Sequence, residues 1–286
     1  MTPTDPSSSL FSRPYLRYAM GILTAVYMFN LIDRQILSIL MPAIKAEMQL
    51  SDTALGFLSG IAFALFYATL GIPIARLADR WSRVNIITIS LSLWSLMTAV
   101  CGLAQNFWHL LASRILVGVG EAGSGPASHS LISDYVPLET RSSALAIYSL
   151  GIPLGVMIGF SVGGWLEQHY GWRVAFMGVG LPGVVLAAVV RLTLHEPPRG
   201  HADGRVAAGA AEQPPLKVVA SVMWKRKSFR HLVLGIGAQA IAGYGVLQWT
   251  PSFLHRSYQM TSSEIGLSLA IRIKRKERAS GSIPPT

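Results

Sequence analysis

Four ionisable side chains stand in stretches of sequence that are otherwise apolar and long enough to cross a bilayer. Asp33 and Arg34 are adjacent in the first stretch, and Arg114 and Glu121 are seven residues apart in the fourth. A spacing of seven places the latter two on one face of a helix. Because a charge in hydrocarbon costs about 2.5–3.5 kcal/mol on insertion scales, all four are functional candidates.

The depth of these residues, counted from the outer ends of their helices, predicts that they share one polar cavity. At 1.5 Å per residue they lie roughly 10 to 20 Å below the outer surface. A carboxylate poised between burial and a neighbouring arginine can bind and release a proton, which a proton-coupled carrier requires. The alternative is two structural ion pairs, although desolvation can exceed the attraction within such a pair.

The distribution of charge along the chain predicts an all-α integral membrane protein. Of its 286 residues, 51% are hydrophobic and only 13% are charged, whereas soluble domains usually contain about a quarter charged residues. Crossing a bilayer takes about 20 apolar residues. Seven candidate spans lie at 18–41, 54–75, 84–103, 107–132, 144–166, 174–190 and 232–254. An eighth begins at residue 262.

Basic residues concentrate on alternate loops, which predicts a multi-pass protein of the plasma (inner) membrane with a cytoplasmic N-terminus. The outside loops hold only Lys45, Arg173 and Arg256. The cytoplasmic loops hold Arg13, Arg17, Arg76, Arg80, Arg83, Arg141, Arg191, Arg199, Arg205, Lys217, Lys225, Arg226, Lys227 and Arg230. The net charge of +10 therefore indicates orientation in a lipid bilayer, and no nucleic-acid partner is expected.

Composition divides the chain into five parts. These are a cytoplasmic tail (1–17), a six-span bundle (18–194), a cytoplasmic linker (195–228), the start of a second bundle with span seven and a partial span eight (229–271), and a basic ending (272–286). The ending is interpreted as non-native (foreign, frame-shifted or a truncation point) or as disordered. The alternative is a natural half-protein with a basic tail.

Two segments suggest further structure. Leu216, Val219, Val222 and Met223 share a helical face, which fits either a short helix on the inner leaflet or a solvated linker. Span five carries glycines at four-residue spacing, which lets two backbones approach closely in lipid. Simple packing explains that pattern equally well. A proline within this run removes a backbone donor and can kink the helix. These residues are Gly151, Pro153, Gly155, Gly159 and Gly163.

The loop after span two reads Ala75-Arg-Leu-Ala-Asp79-Arg80-Trp-Ser-Arg83. It resembles the major facilitator superfamily signature Gly-x-Leu-Ala-Asp-Arg-x-Gly-Arg, with Ala75 and Ser82 where glycines usually stand. As a set, six runs resemble the spinster-like branch over roughly residues 15 to 270. They are Asn30–Arg34, Pro73–Arg80, Arg114–Gly123, Ser133–Tyr135, Gly171–Arg173 and Glu196–Gly200.

The resemblance implies an alternating-access carrier made of two six-helix bundles, of which this chain holds the first bundle and one or two further helices. It implies that Asp33, Arg34, Arg114 and Glu121 line the central cavity. It also implies a cytoplasmic latch formed by Asp79, Arg83 and Asp134, with Arg80 and Arg141 in support. Relatives in that branch move lipid-like or amphipathic organic molecules, and bacterial members are proposed to use protons.

The expected function is therefore secondary active transport, by symport or antiport, of an organic anion or amphipathic lipid-like solute. The alternative is a non-transporting fragment, or a half-transporter that acts only by assembling with another chain. An enzyme is not expected, because the sequence shows no Ser/His/Asp set, no metal-ligand cluster and no phosphate loop. No cofactor and no metal are expected.

Overall fold

The structure is a computed structural model that describes residues 10–203 and 215–270, and its regular structure there is helical. The helices are α1 (Arg13–Met48), α2 (Asp52–Gly56), α3 (Ala62–Ala78), α4 (Arg83–Cys101), α5 (Phe107–Tyr135), α6 (Leu138–Ser149), α7 (Gly151–Thr193), α8 (Leu216–Lys225) and α9 (Lys227–Tyr258). A π-helical segment, Phe57–Ile61, joins α2 to α3, and His201–Asp203 form a 3-10 turn. Residues 262–270 are again helical. The predicted all-α class is confirmed.

Several domain predictions fall partly outside these ranges. The first nine residues of the tail, the linker residues 204–214 and the basic ending all lie beyond the described residues. Helix α1 starts at Arg13, five residues before the predicted start of the bundle. The Ser12 hydroxyl accepts a bond from the amide of Tyr15, and a proline lies in the first turn, which together form a helix N-terminus.

Five helical stretches of the described residues are long and apolar enough to cross a membrane: Arg13–Met48, Asp52–Ala78, Arg83–Cys101, Leu138–Thr193 and Lys227–Tyr258. The fourth has 56 residues, more than twice what one crossing needs, and it contains both predicted spans five and six. Gly171 divides it with a φ of 80°, a conformation that favours glycine. Helix α5, the predicted span four, is not among the five.

The turn at Gly171 brings two side chains onto the end of α1. The Trp172 indole nitrogen donates to a Glu47 oxygen at 2.5 Å, and the Arg173 guanidinium pairs with the other oxygen. Arg173 also donates to the carbonyl of Ala104 at 2.9 Å. The Glu47 carboxylate therefore joins α1 to α7 at the end of the bundle opposite the N-terminus.

The apolar core consists of two clusters. One lies towards the end that carries Arg13, Arg83, Arg141 and Arg191, named here the basic end, and it includes Leu23, Trp94 and Val117. The other lies towards the opposite end and includes Ile36, Cys101 and Leu110. Each of α1, α4 and α5 contributes to both clusters, so the layer between the clusters crosses all three helices.

The predicted glycine stripe of α7 lies directly against α1. A Cβ at Gly155 would come within 2.5 Å of the Met28 carbonyl oxygen, and one at Gly151 within 2.9 Å of the Thr24 carbonyl oxygen. Further along α1, Gly159 meets the backbone of Ile32, whereas Gly163 meets the Ile36 side chain. The two backbones approach closely because these positions carry no side chain.

Pro153 lies in the first turn of α7, and the helix breaks just before it. Helix α6 ends at Ser149, Leu150 is a turn residue, and α7 starts at Gly151. A proline has no N–H to donate to the residue four positions earlier, which here is Ser149. The discontinuity therefore lies within one turn of the predicted kink.

We expect Gly155→Ala to destabilise the bundle, because the added carbon meets the backbone of α1 rather than a flexible side chain. Overpacking of this kind costs about 1–3 kcal/mol. Thermal unfolding in detergent, followed by tryptophan fluorescence, measures the change in Tm. Gly125→Ala is the control, since a Cβ there meets nothing within 4 Å. An equal Tm for both variants would contradict the close α1–α7 contact.

Candidate functional site

The four predicted cavity residues lie together as two pairs across α1 and α5. The Arg34 Nε lies 2.6 Å from a Glu121 carboxylate oxygen, which is an ion pair with a direct hydrogen bond. The Arg114 Nη1 lies 3.6 Å from Asp33 Oδ2, and the Thr98 hydroxyl of α4 donates to Asp33 Oδ1. Neighbouring residues of α1 therefore bind two residues of α5 that are seven positions apart.

This polar layer lies between the two apolar clusters. On α1, the first cluster ends at Val26 and the second begins at Leu31, so Asp33 lies close to the boundary between them. On α5, Arg114 stands between Leu110 and Val117, which belong to different clusters. The sequence places charge in this layer and apolar side chains on both sides of it.

Three of the four charged groups are almost completely buried. Asp33, Arg114 and Glu121 are 2%, 1% and 2% exposed, whereas the Arg34 side chain keeps 17% of its surface. Arg34 also lies over two aromatic rings of α3, 5.1 Å from the Phe63 centroid and 4.8 Å from that of Tyr67. Cation–π contacts of this length attract the guanidinium and orient it.

A cavity of about 460 Å³ adjoins this layer, between α3 and α9. Its polar lining includes Arg34, Gln35 and Arg114, and its wall is otherwise rich in aromatic and small residues. The other lining residues are Gly56, Ser59, Gly60, Phe63, Ala64, Tyr67, Ala240, Ile241, Tyr244, Gly245, Gln248 and Trp249. The π-helical segment contributes to this wall, as such segments often do at functional sites.

Several buried polar atoms of this layer make no hydrogen bond to any described residue. They are Asp33 Oδ2, Gln35 Oε1, Arg114 Nε and Nη1, and Glu121 Oε1. An unpaired buried donor or acceptor costs about 1–3 kcal/mol. Hydrogen-bonding capacity therefore remains in this layer, beside the cavity that Gln35 and Arg114 line.

The basic end holds a second cluster, centred on Arg83, the first residue of α4. Its guanidinium pairs with Asp134 of α5 and lies 2.6 Å from a Glu196 oxygen. It also donates to the Pro197 carbonyl at 2.7 Å and the Ser130 hydroxyl at 3.3 Å. Arg83 is buried, so these contacts fix its orientation.

Glu196 follows the end of α7 and binds the start of α4. It accepts from the Ser82 hydroxyl at 2.9 Å and from the Val84 amide at 3.0 Å, in addition to Arg83. Burial raises the pKa of the Glu196 carboxyl. The hydrogen bonds from Val84, Arg83 and Ser82 together lower it by more, so the pKa lies below its ordinary value.

Three more residues of the segment around Glu196, which are Arg199, Gly200 and His195, make hydrogen bonds to other parts of the bundle. Arg199 donates to the carbonyls of Ala78 and Trp81 at 2.8 and 2.9 Å, and the Gly200 amide donates to Asp134 at 2.9 Å. Upstream, the His195 amide donates to the Tyr15 hydroxyl at 2.7 Å. The residues after α7 therefore join α1, α3, α4 and α5.

The five predicted latch residues occupy different positions at this end. Arg83 and Asp134 are in contact, and Arg141 donates to the carbonyls of Ser133 and Val136 at the end of α5. Asp79 and Arg80 lie on the exposed loop between α3 and α4. Glu196, in the Glu-Pro-Pro-Arg-Gly run, also contacts Arg83, although the resemblance does not imply a place for it in the latch.

At the opposite end, α9 touches the first two helices through polar contacts. Arg256 binds Asp52 with two bonds, at 2.5 and 3.0 Å, and Lys45 binds the same carboxylate at 2.7 Å. Deeper in the bundle, the Ser38 hydroxyl donates to the Gln248 carbonyl at 2.7 Å. The cavity is thus bounded on this side by α1, α2 and α9.

Sequence reasoning missed the uncharged part of the cavity. Phe63 and Tyr67 are four residues apart and face Arg34, a spacing that places both on one helix face. Thr98 is isolated in an apolar run, and the residues of α9 that line the cavity carry no charge. In a membrane helix, neutral residues of this kind look the same whether they face lipid or a cavity.

Comparison with protein families decides the classification. Residues 23–273 match the Major Facilitator Superfamily. This chain belongs to that superfamily.

This Major Facilitator Superfamily member is similar to spinster proteins and to a bacterial efflux pump, which agrees with the predicted resemblance to the spinster-like branch. An MFS-type efflux pump of Mycolicibacterium smegmatis is 35% identical over 257 residues, covering 88% of this chain and 58% of the pump. Human protein spinster homolog 1 is 28% identical over 246 residues, covering 83% of this chain and 46% of that protein.

A solved structure agrees with these relatives. It is a bacterial homolog of the human lysosomal transporter Spinster, in an inward-facing and unoccupied conformation, with 35% identity and a TM-score of 0.77. The match covers 90% of this chain and 59% of that one. This Major Facilitator Superfamily chain therefore spans about half to three fifths of the length of these relatives.

We expect Glu196→Gln to lower the Tm at pH 7 and to have little effect in acid. Because the folded-state pKa is depressed, the stabilisation is complete above the ordinary pKa of ~4.3 and is lost as the pH falls through the lower folded value. Thermal unfolding between pH 3.5 and 7 measures the difference.

The control is Glu139→Gln, at an exposed position in the first turn of α6. A Tm difference between Glu196→Gln and the parent that stays constant with pH would show that the carboxylate charge does not stabilise this end.

Proposed function

We propose that this chain acts in secondary active transport, by alternating access, of an organic anion or amphipathic lipid-like solute, with proton coupling. The observation that carries the proposal is the pairing of Arg34, Arg114, Asp33 and Glu121 in one buried layer beside an apolar and aromatic cavity. The two guanidinium groups hold the anionic head, and the cavity wall receives the apolar part.

The pairing of Arg34 with Glu121 suggests how anion and proton are linked. A solute anion and the Glu121 carboxylate compete for the same guanidinium, which lies 2.6 Å from the carboxylate. Protonation of Glu121 removes its charge and releases Arg34 for the solute. Each ligand then increases the affinity for the other, because coupling between two sites is reciprocal. Such mutual enhancement favours symport, whereas competition between solute and proton at one group gives antiport.

The proposed location is the plasma (inner) membrane, with the basic end and the N-terminus in the cytoplasm. Basic residues retained on one side of the membrane support this orientation. In that orientation the Arg83 cluster acts as the cytoplasmic latch, and the Asp52–Arg256 contact is on the outer side. Likeness to an inward-facing relative agrees with an outer side that is held closed.

A second candidate is a chain that transports only after assembly with another chain, or not at all. The apolar window of α9 has none of its residues buried, and Ile236, Ile241 and Val246 are all more than half exposed. The chain also spans only 58% of the similar efflux pump. A partner that covers α9 would complete the wall of the cavity.

We expect binding of a fluorescent lysophosphatidic acid to this chain in detergent to tighten as the pH falls from 8 to 6. Glu121→Gln, which mimics the protonated acid, should bind tightly throughout. Arg34→Gln should lower the affinity for the probe about tenfold or more, since a hydrogen bond to a charged group contributes about 1.5–3 kcal/mol. An affinity that changes neither with pH nor in Arg34→Gln would contradict the proposed site. Glu139→Gln is the matched control.

Transport is measured with the same probe in proteoliposomes that contain a pH-sensitive dye. Solute-driven acidification with the parent, and none with Glu121→Gln, supports proton-coupled symport by this chain alone. Tight binding without any flux supports the second candidate and contradicts the first.

A further inference from the structure

Helix α8 presents a broad apolar surface that remains exposed in the part of the chain that the structure describes. Val218, Val222, Met223 and Trp224 are 51%, 51%, 41% and 59% exposed, respectively. Four large apolar side chains within seven residues are unusual on a surface that faces water. None of them contributes to the cavity or to the two charge clusters described above.

The two sides of α8 differ in chemistry. Lys217, Ser221 and Lys225 are spaced by four residues and line one face of the helix. Val219 and Met223 project from the opposite face. A helix with a basic polar stripe and an apolar remainder is typical of segments that lie in the plane of a membrane interface.

The position of α8 along the chain fixes its depth. Only Arg226, in an extended conformation with φ −80° and ψ 117°, separates it from α9. The apolar part of α9 begins at Leu232, about 7.5 Å further along the helix axis at 1.5 Å per residue. Because α9 crosses the bilayer from there, α8 must lie at the boundary between hydrocarbon and water.

The charge of this region selects the type of lipid. Residues 215–258 contain no Asp or Glu, while Lys217, Lys225, Arg226, Lys227 and Arg230 cluster within fourteen residues. Each basic residue close to an anionic membrane surface adds to the attraction between helix and lipid. Neutral headgroups would leave this charge uncompensated.

We propose that α8 is an interfacial helix that binds anionic phospholipids of the leaflet at the basic end. Its valine, methionine and tryptophan side chains enter the acyl-chain boundary, and its lysines contact the phosphates. Trp224 lies next to the polar stripe, where an amphipathic ring suits the headgroup level. This surface is separate from the solute cavity, so its test does not depend on transport.

The first experiment uses the full chain in nanodiscs, with the native Cys101 changed to Ala and a spin label at Val222→Cys or Ser221→Cys. The label at 222 should collide mainly with oxygen dissolved in lipid, and the label at 221 with a water-soluble nickel chelate. Equal collision with the chelate at both sites would show a solvated linker. Protection from both reagents at both sites would show that protein covers the helix, and either result would overturn the proposal.

The second experiment compares nanodiscs of phosphatidylcholine with nanodiscs that also contain phosphatidylglycerol. Anionic lipid should immobilise the label at 222, and Lys217→Gln with Lys225→Gln should reduce that effect. Lys45→Gln, at the opposite end of the bundle, is the charge-matched control and should leave the immobilisation of the label unchanged. No response to phosphatidylglycerol, or an equal loss with Lys45→Gln, would contradict recognition of anionic lipid by α8.

Discussion

Buried charge between two apolar clusters is the constraint on which the rest of this structure depends. Asp33, Arg34, Arg114 and Glu121 cannot be left unpaired in a low-dielectric layer, because an isolated buried ion costs far more than a domain's net stability. Pairing across α1 and α5 reduces that cost, although unpaired oxygens and nitrogens remain. Of these four residues, Arg34 and Arg114 line a cavity whose wall is largely apolar. A site of this kind can exchange an internal carboxylate for an external anion without leaving a guanidinium unpaired.

The surrounding helices hold this layer in register. The glycines of α7 let it pack against the backbone of α1, which sets the position of Asp33 and Arg34. At the basic end, Arg83 joins α4 to α5 and to the segment after α7, and the opposite end is joined by Glu47 and Asp52. Polar contacts at both ends and close backbone packing in the middle surround the charge layer, which under the proposed function is where the solute binds.

Much of this arrangement could be predicted from the sequence, for physical reasons. Long uncharged runs identify spans, since few other structures tolerate them, and the charges within those runs identify the cavity because lipid penalises them. The glycine stripe predicted a close helix contact, which Gly155 makes with Met28. Neutral residues could not be assigned in this way: Phe63, Tyr67 and Trp249 acquire their role only from tertiary packing. Glu196 was also missed as a partner of Arg83, since the two are 113 residues apart and only the fold joins them.

The proposed function depends on a water-accessible cavity beside Arg34 and Arg114, and the accessibility of engineered cysteines measures it most directly. Ala64 lines the cavity, whereas its neighbour Leu65 is 55% exposed but is not part of the cavity wall. In a Cys101→Ala background in membrane vesicles, Ala64→Cys should react rapidly with a charged thiol reagent and Leu65→Cys hardly at all, because the thiolate that reacts forms only in contact with water. Equal inertness of the two positions would contradict a wet cavity at this site and, with it, the proposed binding of an anion beside Arg34.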